Sequence, residues 1–251
     1  MADLTGRVAV VTGGNGGIGL GMADALARAG ADIAVWGRNE DKNAAAVETL
    51  RAHGRRAEAF VVDVAHEEQI IEGLAATVDS LGRVDTLIAN AGIGGGAPFV
   101  DLTLEQWRRV QRVNSEGAFL CLREAARHMV ERGEGGSLIG ISSGTAIDGA
   151  ARNQAYAHSK AGLLSLMRGL AVELARHRIR CNSIIPGWID TDMTAMAQRN
   201  EKLMDTTTKR TPVRRWGVPA DLGPAAVFLA DPDNLFHTGD VVVVDGGYSI
   251  F

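Results

Sequence analysis

A phenol and an ammonium stand four residues apart in Tyr156-Ala157-His158-Ser159-Lys160, a spacing that puts both on one face of a helix. A cation beside a phenol favours the phenolate and lowers a pKa that starts near 10. A phenol tuned in this way can give or take a proton, which is the work of a general acid–base. In Ile141-Ser142-Ser143-Gly144, shortly before this pair, Ser143 offers a hydroxyl able to hold a substrate oxygen next to the phenol. Taken alone, the Tyr-x-x-x-Lys pair also reads as an ordinary helix-surface pair worth about a few tenths of a kcal/mol. The preceding serine and a glycine loop near the chain start make the combination specific.

That loop is Thr12-Gly13-Gly14-Asn15-Gly16-Gly17-Ile18-Gly19. It follows an apolar run and precedes a helical pattern. Glycines let the backbone turn sharply and approach a pyrophosphate, and a helix start offers free N–H groups and a partial positive charge to phosphates. The spacing Gly-x-x-x-Gly-x-Gly differs from the commoner Gly-x-Gly-x-x-Gly, and a purely structural turn is the alternative. In a dinucleotide fold the end of the second strand meets the adenosine ribose, where an acid takes the 2′-hydroxyl and an arginine accommodates a 2′-phosphate. Here Val35-Trp36-Gly37-Arg38-Asn39 brings Arg38 and no acid. The expectation is NADP(H), with NAD(H) the alternative. Asp63 and Val64, after the third strand, are expected at the adenine; Asp63 could equally cap the next helix.

These groups need elements to position them. Short apolar runs at 8–11, 33–36, 59–62, 86–89, 138–141, 181–185 and 241–244 read as strands buried on both faces. Helical patterns fill the gaps at 18–29, 42–53, 67–81, 104–132, 154–176 and 220–229. Strictly alternating strands and helices predict an α/β fold: a Rossmann-type, doubly wound, seven-stranded parallel sheet in a single domain over 1–251. Residues 192–217 break the alternation. They read as a polar substrate loop at the carboxyl edge of the sheet, and so as a lid.

Composition sets the boundaries of function. The 251 residues carry 46% hydrophobic and 22% charged side chains, which excludes a disordered chain. Glycine is abundant, 31 residues without a triplet period, as expected of many tight turns and close backbone approaches. A net charge of −4 gives no support for nucleic-acid or anionic-membrane partners. No run is long and apolar enough to span a membrane. The start, Met1 to Gly6, lacks the basic stretch and apolar run of a secretion signal. Two cysteines, Cys121 and Cys181, are too few for a disulfide framework, so a cytoplasmic location is expected. His66, His128 and His177 show no metal-ligand spacing, and no metal is expected.

The whole chain resembles the classical short-chain dehydrogenases/reductases. The matching motifs are Thr12-Gly13-x-x-x-Gly17-Ile18-Gly19, Asn90-Ala91-Gly92, Asn114, Ser143, Tyr156-x-x-x-Lys160 and Pro186-Gly187, in family order and spacing. The resemblance implies Tyr156 as general acid–base and Ser143 as the residue orienting the substrate oxygen. It implies Lys160 on the nicotinamide ribose and Asn114, inside the 104–132 helix, on a water chain returning protons to Lys160. The cofactor contacts so implied begin with Gly13, Asn15, Gly17, Ile18 and Gly19 in the loop. Arg38, Asp63 and Val64 follow on the adenosine side, with Asn90, Ala91 and Gly92 beyond the fourth strand. Tyr156, Lys160, Pro186, Gly187, Ile189 and Thr191 complete them around the nicotinamide.

The implied reaction is hydride transfer between NAD(P)(H) and a carbonyl or secondary alcohol, with no metal. Pocket walls are expected from residues 93–96, 145–153, Trp188 and the 192–216 stretch. The polar groups Asp148, Arg152, Asn153 and Gln154 favour a sugar, polyol or similar polar substrate. The apolar Ile93, Ile147, Trp188, Met193 and Met196 suit the alternative, a 3-oxoacyl-carrier-protein thioester. A non-catalytic nucleotide sensor on the same fold is the alternative of another class. The family resemblance also implies a homotetramer, formed through the 104–132 and 154–176 helices and the chain end.

Overall fold

The structure is a computed structural model and describes residues 2–251. The chain begins β1 (Val8–Thr12), α1 (Gly17–Arg28), β2 (Asp32–Gly37), α2 (Glu40–Arg51), β3 (Ala57–Val61), α3 (Glu67–Leu81) and β4 (Thr86–Ala89). Then come α4 (Leu104–Gln111), a π turn (Arg112–Glu116), α5 (Gly117–Arg132), β5 (Gly136–Ile141), α6 (Gln154–Leu174) and β6 (Ile179–Pro186). Last are α7 (Ala195–Gln198), α8 (Glu201–Arg210), α9 (Gly223–Ala230) and β7 (Val241–Val244). All strands are parallel, in the order β3-β2-β1-β4-β5-β6-β7. The expected seven-stranded sheet is the sheet found.

Side-chain alternation builds a core on each face. Val8 and Val10 of β1 join a cluster with Leu122, Met129 and Met167, whereas Ala9 and Val11 join one with Met22, Leu26 and Leu229. β2 divides likewise, with Trp36 on the first side and Ile33 and Val35 on the second. Trp36 buries its indole fully and donates from Nε1 to Thr77 Oγ1 at 3.1 Å, so its one polar atom is satisfied. The outer strands depart from the sequence expectation. β7 pairs on one side only and leaves Val243 exposed, and Val61 at the other edge is exposed too. An apolar run predicts a buried strand, but an edge position has nothing beyond it to cover the side chains.

Strand order reverses between β1 and β4, whose ladder ends at Val11 and Ile88 and leaves a splay beyond them. Side chains replace the ladder at that point. Thr12 Oγ1 accepts from Asn90 N at 3.0 Å and Ala91 N at 2.9 Å, and Asn90 Nδ2 donates to Thr12 O at 2.8 Å. The glycine loop turns over this gap with Gly13 (φ 64°) and Gly17 (φ 50°) in the left-handed region. Gly13 N donates to Trp36 O at 2.7 Å, tying the loop to β2. Asn15 Nδ2 reaches Asn43 Oδ1 at 2.7 Å, and Asn43 Nδ2 reaches Gly37 O at 2.9 Å.

Two expectations about helices change. The stretch read as one helix over 104–132 is two, broken at the π turn that carries Asn114. Residues 192–217, read as a loop, contain α7 and α8 after a short 3₁₀ turn over Asp192–Thr194. Asn200 caps α8, its Oδ1 accepting from Leu203 N at 3.1 Å. The segment is pinned by Trp216, which stacks on Trp188 with centroids 5.0 Å apart and donates to Thr207 Oγ1 at 2.8 Å. A short amphipathic helix with a single buried side chain, Thr207, leaves little periodic signal in the sequence.

Gly19 sets how closely α1 approaches the splay. A Cβ there would lie 2.2 Å from Gly13 O and 2.6 Å from Asn90 Nδ2. Gly19→Ala is expected to cost about 1–3 kcal/mol of stability, as overpacking does. It should also weaken dinucleotide binding; denaturant unfolding and equilibrium titration of the variant check both.

Candidate active site

At the carboxyl edge of the sheet a cleft of about 460 Å³ opens beside the switch point, a size usual for small-molecule sites. Ser143, Tyr156 and Lys160 all line it. The end of β5 supplies Ser143 and the first turns of α6 supply the other two. Lys160 is 4% exposed, and its Nζ donates to Ile141 O at 2.8 Å. Burial pushes its pKa down to about 8. Tyr156 is pushed above the ordinary phenol value by burial, and the Ser143 hydroxyl acts in the opposite sense. Lys160 adjoins the same ring. Its Nζ stands 5.6 Å from the centroid of the Tyr156 ring and turns toward β5.

Asn114 is 1% exposed and faces the segment after β4. Its Oδ1 accepts from Ile93 N at 2.8 Å, and its Nδ2 donates to Ile93 O at 3.0 Å and to Ser159 Oγ at 3.1 Å. Ser159 Oγ in turn donates to Tyr156 O at 2.6 Å. A Cβ on Gly92 would stand 3.4 Å from both Asn114 Oδ1 and Lys160 Nζ, so the two polar groups flank one glycine. Ser159 is a link that the sequence reading omits; its position three residues after Tyr156 was the available signal. Ser142 is structural, its Oγ donating to Lys160 O at 2.9 Å.

Ile18, Asn90, Gly92, Pro186, Gly187, Ile189 and Thr191 share the cleft with these groups. Gly187 can only be glycine, since a Cβ there would meet Asp245 atoms at 2.7 Å. Thr191 stands over the glycine loop, its Cγ2 3.3 Å from where a Gly17 Cβ would be. Gly13, Asn15, Gly17, Gly19, Ala91 and Asn114 are not among the residues lining the cleft. Arg38, Asp63 and Val64 lie away from it at the ends of β2 and β3.

Arg38 is largely exposed, with Nη1 3.5 Å from Asp63 Oδ2. Asp63 does not cap α3; His66 occupies that position. Asp63 instead accepts from Ala65 N at 3.0 Å in a local turn, while its own N–H donates to Gln69 Oε1 at 2.8 Å. Val64 is buried in the core against α5, where a Cβ on Gly117 would meet Val64 O at 2.7 Å.

The opposite wall comes from Thr145, Asp148, Ala150 and Asn153 and, across the opening, from Trp188, Met193, Arg210 and Tyr248. Ile147 and Met196, expected as apolar wall, are exposed and not on it. His158 turns away to α4, with Nδ1 3.1 Å from Gln111 Oε1 and its ring 4.9 Å from that of Trp107. Among the described residues no three His, Cys, Asp or Glu side chains gather as metal ligands, and no helix is long and apolar enough to cross a membrane.

The site suits a dinucleotide on its own geometry. Gly16, at the start of α1, has no side chain to bond the helix's first N–H groups, and the first turn holds no acid. The buried Lys160 ammonium has three donors and one carbonyl acceptor, leaving hydrogens for ligand oxygens.

Comparison with known proteins agrees. A family model described as Enoyl-(Acyl carrier protein) reductase matches residues 13–249. An L-rhamnose 1-dehydrogenase (NAD(P)(+)) of Sphingomonas sp. (strain SKA58) is 36% identical over 248 residues, 98% of each chain. A gluconate 5-dehydrogenase of Gluconobacter oxydans (strain 621H) is 36% identical over 252 residues, covering 100% of this chain and 97% of that one. The crystal structure of a gluconate 5-dehydrogenase from Burkholderia cenocepacia J2315, in complex with NADP and tartrate, superposes with a TM-score of 0.94 at 35% identity, covering 99% of this chain and 97% of that one. Fold, cleft and relatives agree along the whole length, and the chain belongs to the short-chain dehydrogenases/reductases, oxidoreductases that act on CH–OH groups.

Proposed function

We propose that this chain, as one dinucleotide-binding catalytic domain over 1–251, interconverts a secondary alcohol and a carbonyl on a sugar, polyol or similar polar substrate, with NADP(H) favoured over NAD(H). The observation that carries the reading is the convergence of Tyr156, Ser143 and Lys160 on one cleft beside the switch point. The relatives' names, sugar and sugar-acid dehydrogenases, support the substrate class. The polar wall of Asp148 and Asn153 supports it too.

A nicotinamide held in the cleft would supply or accept the hydride. Ser143 holds the substrate oxygen. Tyr156 gives that oxygen its proton in reduction and takes it back in oxidation. Lys160 holds the nicotinamide ribose, and Asn114 keeps the 90–93 segment and the start of α6 in place through Ile93 and Ser159. Gly13, Asn15, Gly17, Ile18 and Gly19 serve the pyrophosphate. Asn90, Ala91 and Gly92 border the cofactor beyond β4, and Pro186, Gly187, Ile189 and Thr191 serve the nicotinamide. Arg38 would meet a 2′-phosphate, and Asp63, with Val64 beside it, would border the adenine. Residues 192–217 form the lid. Two buried, unpaired thiols, Cys121 and Cys181, support a cytoplasmic location.

The apolar groove between α5 and α6, with Phe119, Val130 and Leu170 on it, supports a homotetramer built through these helices. The exposed Phe236 and Phe251 near β7 support a second contact there.

The reading is tested by following cofactor absorbance over a panel of sugars, polyols, sugar acids, ketones and β-keto thioesters, run with both cofactors. Turnover of the polyhydroxylated compounds supports it. Turnover of β-keto thioesters alone favours the acyl-carrier-protein reductase. Silence with tight NADP(H) binding favours a sensor. Arg38→Asp is expected to shift kcat/KM toward NAD(H); an unchanged ratio would make Arg38 a bystander. In Tyr156→Phe, turnover should fall by about 100-fold or more with dinucleotide affinity retained.

Because burial raises the phenol's pKa, the protonated form dominates near neutrality. Alcohol oxidation, which needs the deprotonated phenol, should therefore quicken as pH rises above neutral, and carbonyl reduction should not. Rate–pH profiles in both directions check the sign. Light scattering at micromolar concentration is expected to report a tetramer, and a monomer would refute that assembly.

A further inference from the structure

We propose that Arg210 recognises a carboxylate on the substrate, so that the site is built for a polyhydroxy acid and not for a neutral sugar or polyol. This rests on the dehydrogenase reading above and narrows it. Three charged side chains line the cleft: Asp148, Lys160 and Arg210. Lys160 is buried at the cofactor end and bonded to Ile141 O, and Asp148 is an acid. Arg210, the last residue of α8, is the cation left for substrate.

Lys209 pairs with Asp205 at 2.7 Å and Arg215 with Asp221 at 2.6 Å, whereas Arg210 pairs with no Asp or Glu side chain among the described residues. Its guanidinium is nonetheless held in place. The central carbon lies 4.2 Å from the centroid of the Tyr248 ring, another residue of the cleft wall. Stacking of this kind fixes the plane of the fork and leaves its edge free. The polar contacts it does make are long: Nε to an oxygen of Phe251, the last residue of the sequence, at 3.3 Å, and Nη1 to the Tyr248 hydroxyl at 3.4 Å. A planar carboxylate offers two charged acceptors matched to that fork, and would displace these weaker ones.

Asp148 lies on the loop after β5 and lines the same cleft. It repels an anion and accepts from hydroxyls. The two charges thus orient a polyhydroxy acid, with its carboxylate under α8 and its hydroxyls toward Asp148 and Asn153.

The test compares gluconate with sorbitol, which share a polyhydroxylated chain and differ in the carboxylate. The wild-type protein is expected to prefer gluconate. Arg210→Gln should lower the gluconate-to-sorbitol ratio of kcat/KM by at least about tenfold, the usual effect of losing a charge-assisted hydrogen bond, and mainly through KM. Arg210→Lys should recover part of the ratio, keeping the charge and losing the fork. Melting temperature and NADP(H) affinity show that each variant is folded.

An unchanged ratio in Arg210→Gln would overturn the carboxylate site and leave the dehydrogenase reading standing. So would preferential turnover of glucose 6-phosphate over gluconate, which would make the recognised group a phosphate. No turnover of any polyhydroxylated compound by the wild type would overturn both.

Discussion

A buried ammonium must find oxygen acceptors, because taking a cation out of water costs several kcal/mol. Lys160 meets that demand by donating to the last carbonyl of β5, and the rest of the site follows from the bond. Ser142 closes the link from the other side, its hydroxyl donating to Lys160 O. Strand end and helix are thereby fastened at two points, with the lysine head on the strand and the strand's serine on the helix. Ser143 is the next residue after this clamp and Tyr156 lies one turn before Lys160. Their relative position is therefore not left to a loop. Gly140 makes the approach possible, since a Cβ there would stand 3.0 Å from Met167 Cγ and 3.2 Å from Leu163 Cγ.

The second support runs through Asn114. A side-chain amide that bonds both the N–H and the C=O of Ile93 acts as a short piece of strand, pairing a segment that has left the sheet. The π turn displaces one residue from the regular helix and turns that amide inward, as such bulges do elsewhere. Its remaining hydrogen goes to Ser159, which bonds the carbonyl of Tyr156. The chain past β4, the bulged helix and the start of α6 are thus one hydrogen-bonded body. A buried network of this kind is rigid when every member is satisfied and costly when one is lost.

Much of this was legible in the sequence, and for physical reasons. The strands β1, β4 and β5 are buried on both faces, so their apolar runs are unbroken and their positions come out within a residue or two. The glycines at 13, 17 and 19 were legible because close approach or positive φ leaves no alternative. What was not legible depends on context that composition does not carry. The run 241–244 looks like any buried strand, and only its place at the edge exposes Val243. The π turn leaves the helical pattern almost intact, so 104–132 reads as one helix. Asp63 is a good cap by type, but the chain makes a further turn and hands that position to His66. The i, i+4 spacing brings Lys160 and Tyr156 to one face, yet it cannot say that the lysine head also donates to a strand carbonyl.

The division of labour between the two walls explains which residues escaped notice. Groups on the proposed cofactor side project from strand ends and the first turns of α1 and α6, next to the sheet. The substrate side is drawn from segments with little periodic signal: the 144–153 loop, α7, α8 and the chain end after β7. Part of it is held together by the Trp188–Trp216 stack, the Trp216–Thr207 bond and the Arg210–Tyr248 contact. A wall built in this way can change its side chains without moving the reacting groups, so one catalytic frame can serve many substrates. Only the placed structure brings Arg210 and Tyr248 into the same cleft as Tyr156, because the segments that carry them leave little periodic signal.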